Sequence, residues 1–250
     1  MLRFFRKIRQ GLLTDNKFSK YLLYAVGEIL LVVIGILIAF QVDNWNEKRK
    51  DRLKLKIAME SLQNDILQDS LLISEYLPAY KNTDSINRRL MNRAYSSSAT
   101  LDTLIQIMKK EFPVYWISSL PFNQNTFENL KSTGAFELLP EDVKKALSDY
   151  YTTIASNKEI IDFYNDQYRT HLDDFVDRYN IIGRLHHPNY QNSYLFNATW
   201  KNIDEEDFVP RVAVVLGSYE VMYGSEIERL EQLQITIRAI LPLLNPYIED

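Results

Sequence analysis

Residues 21–42 read YLLYAVGEILLVVIGILIAFQV, and this stretch decides the fold. From Leu22 to Phe40 there are 19 residues with one charge, Glu28. A helix rises about 1.5 Å per residue, so about 20 apolar residues cross the roughly 30 Å hydrocarbon core of a bilayer. Tyr21 and Tyr24 stand at one end and Trp45 just past the other, where amphipathic rings anchor at headgroup level. A secretory leader is the competing reading. Its apolar region runs about 7–15 residues and ends in a small-x-small cleavage site. Here the run is longer and closes on Leu37-Ile38-Ala39-Phe40-Gln41-Val42. The expectation is an uncleaved transmembrane helix over 21–42.

Charge divides the chain around this span. Residues 1–20 hold Arg3, Arg6, Lys7, Arg9, Lys17 and Lys20 against Asp15, a net +5, whereas residues 43–250 carry a net −8. The acidic body excludes nucleic-acid binding by overall charge. Counted near the span, Lys and Arg tie, because Lys48, Arg49, Lys50, Arg52, Lys54 and Lys56 follow it. The later cluster is mixed with Asp43, Glu47 and Asp51, while the tail is almost purely basic. The tail is therefore placed in the cytoplasm and the body outside it. Leu2, Phe5, Ile8 and Leu12 fall at helical spacing with cations between them. Residues 1–20 thus read as a basic amphipathic tail with Arg3, Arg6, Lys7 and Arg9 on lipid headgroups. A merely basic, topology-setting tail is the plainer alternative.

Glu28 is the unusual residue of the span. A carboxylate at the bilayer centre costs about 2.5–3.5 kcal/mol on insertion scales. At 100° per residue, Gly35 and Ala39 lie within about 20° of it on the helix wheel. Small residues four apart let helices approach closely. Glu28, Gly35 and Ala39 are thus the expected packing or coupling face, toward a second copy or a membrane protein partner. Proton coupling through Glu28, or a lone neutral carboxyl, are the other readings.

Beyond the span the pattern is helical. Leu55, Met59, Leu62, Ile66, Ile73 and Leu77 keep spacings of 3, 4 or 7, which predicts a helix over 43–78 stopped by Pro78. A broken stretch follows, with short helical patterns at 83–94 and 101–110 and a helix over 124–132 capped by Gly134 in the left-handed conformation. A second long helix is expected over 140–182, from Pro140 to Gly183, with Tyr151, Tyr164, Tyr168, Phe175 and Tyr179 on its stripe. A polar loop over 184–203 leads to a third long helix at 205–241, closed by Pro242 and Pro246. No alternation suited to a sheet appears. The fold class is all-α: an N-terminal transmembrane helix continuing into a long-helix bundle outside the cytoplasm, with 43–250 as the bundle domain.

Chemical signatures are sparse. The chain has no cysteine, which excludes disulfides, thiol nucleophiles and Cys-metal sites. Serine-hydrolase, P-loop and Rossmann motifs do not occur. His186 and His187 precede Pro188 and read as a turn pair. His171 lacks the Glu-x-x-His companion of a di-metal bundle. The aromatic stripe reads as core before it reads as a ligand pocket. Asn123, Asn125, Glu128 and Lys131 serve either as an interaction surface or as helix caps. No catalytic group, cofactor or metal is expected.

Residues 4–47, FFRKIRQGLLTDNKFSKYLLYAVGEILLVVIGILIAFQVDNWNE, resemble an uncharacterised family of single-pass membrane proteins from Gram-negative bacteria, a domain of unknown function. The resemblance rests on Tyr21, Leu22, Leu23, Tyr24, Ala25, Gly27, Glu28, Ile29, Gly35, Ala39, Gln41, Asn44, Trp45, Asn46 and Glu47. Asp43 stands where the family has Asn. A second block, TFENLKSTGAFELL at 126–139, is similar to the family, as is Tyr150-Tyr151. The resemblance implies the bacterial inner membrane, with the N-terminus cytoplasmic and the C-terminal domain periplasmic. It implies no activity. The expected role is a membrane-anchored interaction or scaffold protein, assembling through its transmembrane helix and stalk. A periplasmic ligand-sensing bundle acting through a partner, or a proton-coupled subunit using Glu28, are the alternatives.

Overall fold

A computed structural model describes residues 18–181 and 189–248, the side chains of 18–21 and 157 excepted. The tail cations Arg3, Arg6, Lys7 and Arg9, the Tyr21 side chain, Gly183, His186 and His187 lie outside the described residues. The described chain is helical, with no strand among its residues. Helix α1 is Phe18–Ala94, α2 Leu101–Gln106, α3 Asn125–Ser132, α4 Glu141–Tyr179, α5 Tyr194–Thr199 and α6 Glu205–Leu244. A π-helical turn, Ile107–Glu111, follows α2, and residues 112–124 are irregular. The chain divides into two compact units, Met1–Lys56 and Ile57–Asp250.

In the second unit the helical periodicity becomes burial. Met59, Leu62, Ile66 and Ile73 are fully buried, and so are Leu147, Tyr168 and Phe175 of α4 and Phe208, Val215, Tyr219 and Met222 of α6. Helix α4 packs against α6, with Tyr168 and Tyr219 edge to face at 5.1 Å and Tyr179 and Phe208 at 4.9 Å. The aromatic stripe of α4 is core. Irregular residues 112–124 also reach the interior: Phe112, Val114, Ile117 and Leu120 are buried, and the Ile117 N–H donates to Asn165 Oδ1 at 3.2 Å.

Several expected helix ends move. Pro78 does not stop α1, which runs on to Ala94. Proline removes one helical hydrogen bond and crowds the carbonyl four residues back. Pro78 is exposed, so the freed carbonyl has access to water, while Leu77 and Leu90 on either side of it are buried. Burial of the apolar face outweighs the local defect. Replacing Pro78 with alanine should therefore stabilise the unit by about 2 kcal/mol, most of the proline penalty in a helix interior. Chemical denaturation of the two forms checks this, and a destabilised variant would mean that α1 needs its proline. Pro242 likewise lies inside α6, which ends at Leu244. Helix α4 ends at Tyr179, with Asn180 in the left-handed conformation at φ 33°, rather than running to 182. Pro140 is the N-cap of α4, one position ahead of its expected place. The stretch read as a polar loop contains α5, with Phe196 and Trp200 buried. Gly134 takes φ 74° directly after α3 and Thr133, the backbone region where a side chain is strained.

Candidate functional site

In the first unit, the span is one exposed surface. Among residues 22–42 every side chain is exposed except Ala25, which is half-buried. Within α1, residues from Leu22 onward form a helix long and apolar enough to cross a membrane; buried core helices and leader sequences meet the same criterion, but none of this apolar stretch is buried. Glu28, Gly35 and Ala39 lie on one side of this helix and are all exposed. A Cβ built on Gly35 meets no atom within 4 Å, so this side is open to a close neighbour. Tyr24 and Trp45 stand exposed at 60% and 62%.

In the second unit, charge is buried in two places that sequence patterning did not single out. Asp69 on α1 is fully buried. Its Oδ1 accepts the Asn123 N–H at 2.9 Å and Asn123 Nδ2 at 3.0 Å, and its Oδ2 accepts the Tyr150 hydroxyl at 2.9 Å. No cation is paired with it among the described residues. Burial raises the Asp69 carboxyl above its ordinary value, the three hydrogen bonds pull against that, and neighbouring Asp65 adds to the rise. Burial and the Asp69 charge together raise the Tyr150 hydroxyl well above its ordinary value.

The second place is on α6. Glu226 is fully buried and Arg229 is 7% exposed. Arg229 Nε donates to Glu226 Oε2 at 2.7 Å, and Arg229 Nη2 donates to Oε1 in a two-pronged pair. Burial raises the Glu226 carboxyl, and Arg229 opposes it. The guanidinium also lies 5.4 Å from the Phe122 ring centroid, a cation–π distance. Phe122 and Asn123 are adjacent, so two neighbouring residues of the irregular segment touch both buried charges. Asn123 stays exposed, and its side-chain amide donates to Asp69.

These arrangements hold chain to chain. Each Asp69 oxygen is already taken by a donor from another element, which leaves positioned charge rather than a reactive group. A cleft between α4 and α6, lined by His171, Asp174, Glu206, Asp207, Pro210, Arg211 and Val214, is largely filled by its own ion pairs, although His171 Nδ1 is buried there without a hydrogen-bond partner. Asp207 accepts from Tyr179 and from Arg211 Nε at 2.8 Å each and pairs with Arg178, while Arg211 also pairs with Asp174. The Arg211 and Tyr179 bonds hold the Asp207 carboxyl below its usual range. Among the described residues no group of three or more His, Asp or Glu is placed to hold a metal ion.

The second block of the sequence resemblance packs around the Asp69 network. Phe127 of α3 stacks on Tyr151 at 4.2 Å, and Tyr151 meets Tyr150 edge to face at 5.0 Å. No curated protein and no solved structure matches the chain. The model of a family of unknown function, DUF6090, matches residues 28–216, from Glu28 through the Asp69, Asn123 and Tyr150 network into α6, and the chain belongs to that family.

Proposed function

We propose that this chain is a membrane-anchored helical interaction or scaffold protein, with no catalytic step of its own. One observation carries the reading: the apolar helix over residues 22–42 has no covering surface among the described residues. Soluble proteins rarely expose contiguous apolar patches beyond a few hundred Å². A bilayer is the solvent that suits a side chain such as Leu23, Leu31 or Phe40 at every azimuth. In this reading the helix crosses the bacterial inner membrane once, the basic tail stays in the cytoplasm, and the helical unit stands in the periplasm. Copies or partners assemble through the span and the stalk that follows it. Close approach occurs on the side of Gly35 and Ala39, where a protonated Glu28 hydrogen-bonds across helices.

Membrane fractionation with an alkaline carbonate wash, followed by mass measurement in mild detergent, tests both halves. The anchored scaffold stays in the pellet and runs as a defined oligomer or with a repeatable partner. A chain released by carbonate removes the anchoring, and a clean monomer removes the assembly. Gly35→Leu is expected to shift the assembly at least several-fold toward monomer, because the added side chain holds the helices apart. An unchanged mass distribution would place the contact on another face.

A further inference from the structure

The span has a second side that the packing face does not use. Ile34, Leu37, Ile38, Gln41, Val42 and Trp45 line a shallow groove along α1 with an apolar wall. At 100° per residue, these six fall within an arc of about 140°. Continued down the helix, the same arc carries Lys48, Arg49 and Arg52, all exposed. Trp45 is three and four residues before Lys48 and Arg49, and Arg52 is three and four after them, so the four side chains are helix-surface neighbours.

The charges here are segregated. Asp43, Glu47 and Asp51 recur every four residues on a different side, centred about 150° from the basic arc. That side also carries Lys50 and Lys54, and Lys54 pairs with Asp51 at 3.9 Å. Lys48, Arg49 and Arg52 have no ion-pair or hydrogen-bond partner among the described residues. Three adjacent cations without a counter-charge repel one another. Asp51, the i+3 neighbour of Lys48, pairs with Lys54 instead, and Asp43 and Glu47 lie farther round the helix.

We propose that this face of α1 binds an anionic phospholipid, with an acyl chain in the Ile34–Trp45 groove and the phosphate held by Lys48, Arg49 and Arg52. The inference rests on the membrane-anchored reading above. The lengths agree with it: with the span over 21–42 its midpoint lies near residue 31, so Ile34 to Val42 lie along one leaflet of hydrocarbon and Trp45 at its headgroup edge. The cations follow about 5–10 Å beyond Trp45, just outside the headgroups, and their long side chains can reach back to the phosphates. Lysine ammonium and the forked arginine guanidinium both suit a phosphodiester. The Glu28, Gly35 and Ala39 side lies about 110° away on the wheel, so a helix partner and the lipid occupy different faces.

The test uses the full chain purified in detergent with an equal mixture of dioleoylphosphatidylglycerol and dioleoylphosphatidylcholine. Retained lipid is counted by mass spectrometry. The anionic lipid should be enriched on the order of ten-fold, since each cation near a charged lipid surface adds appreciably to binding. Lys48→Gln with Arg52→Gln should abolish the enrichment. Lys50→Gln with Lys54→Gln removes equal charge from the other side and should preserve it. Equal retention of the two lipids, or equal loss in both double variants, overturns the site. So does displacement of the lipid by inorganic phosphate at matched ionic strength, which would mark a free-anion site. A chain that resists carbonate yet shows no lipid preference overturns this inference alone, whereas a chain released by carbonate overturns the anchoring as well.

Discussion

Glu226→Ala is expected to lower the stability of the helical unit by about 3–5 kcal/mol, the usual result of leaving one member of a buried ion pair alone. Glu226 is fully buried and both of its oxygens accept from Arg229. Removing the carboxylate strands a guanidinium that is only 7% exposed, beside the Phe122 ring. Arginine does not discharge itself at accessible pH, so the cost falls on the fold. The companion variant separates this penalty from the worth of the pair. Glu226→Leu with Arg229→Met removes both charges and keeps apolar volume, and its loss should be about 1 kcal/mol or less. Denaturant unfolding of the full chain, followed by the fluorescence of Trp116 and Trp200 in the second unit, measures both. If the double variant loses as much as the single one, the pair itself stabilises the unit and the stranded charge is not the explanation.

The helical content and the apolar stripes were legible in the sequence, because a 3.6-residue period needs only one chain to be seen. Met59, Leu62, Ile66, Ile73 and Leu77 were expected on one face, and they are buried. The helix ends were less legible. Pro78 and Pro242 are strong local stop signals, yet both lie inside helices whose flanking residues are buried, since packing overrides a local propensity. The buried charges were missed for a different reason. Asp69 falls between Ile66 and Ile73 at spacings of 3 and 4, and Glu226 falls midway between Met222 and Leu230. An acid on an apolar stripe was the available signal. Reading it required knowing that Asn123 and Tyr150, 54 and 81 residues away in sequence, would supply the donors. The Lys48, Arg49 and Arg52 cluster was visible as charge. Its lack of partners, and its alignment with the groove, are properties of the folded helix.

Asp69→Ala should cost about 3 kcal/mol, and the reason differs from that at Glu226. No cation is left behind, but three donors are: the Tyr150 hydroxyl, the Asn123 N–H and the Asn123 side-chain amide. The buried Tyr150 hydroxyl left without an acceptor costs up to about 3 kcal/mol, whereas the donors of exposed Asn123 can turn to water. Asp69→Asn should cost only about 1 kcal/mol, because Oδ1 still accepts from Asn123 and the Tyr150 hydroxyl can rotate to accept from the new amide. The two variants also differ from the native chain in their response to pH. Burial raises the folded-state Asp69 carboxyl above 3.8, so the folded chain holds that proton more tightly than the unfolded chain does. The Asp69 contribution to stability therefore grows as pH falls from the raised value toward 3.8, and it is lost as pH rises through the raised value. Asp69→Asn removes that dependence. Subtracting its pH–stability profile from the native one should leave a difference that slopes in this direction. The opposite slope would mean that the three hydrogen bonds outweigh desolvation, and that Asp69 anchors residues 112–124 as a carboxylate more strongly than its burial opposes it.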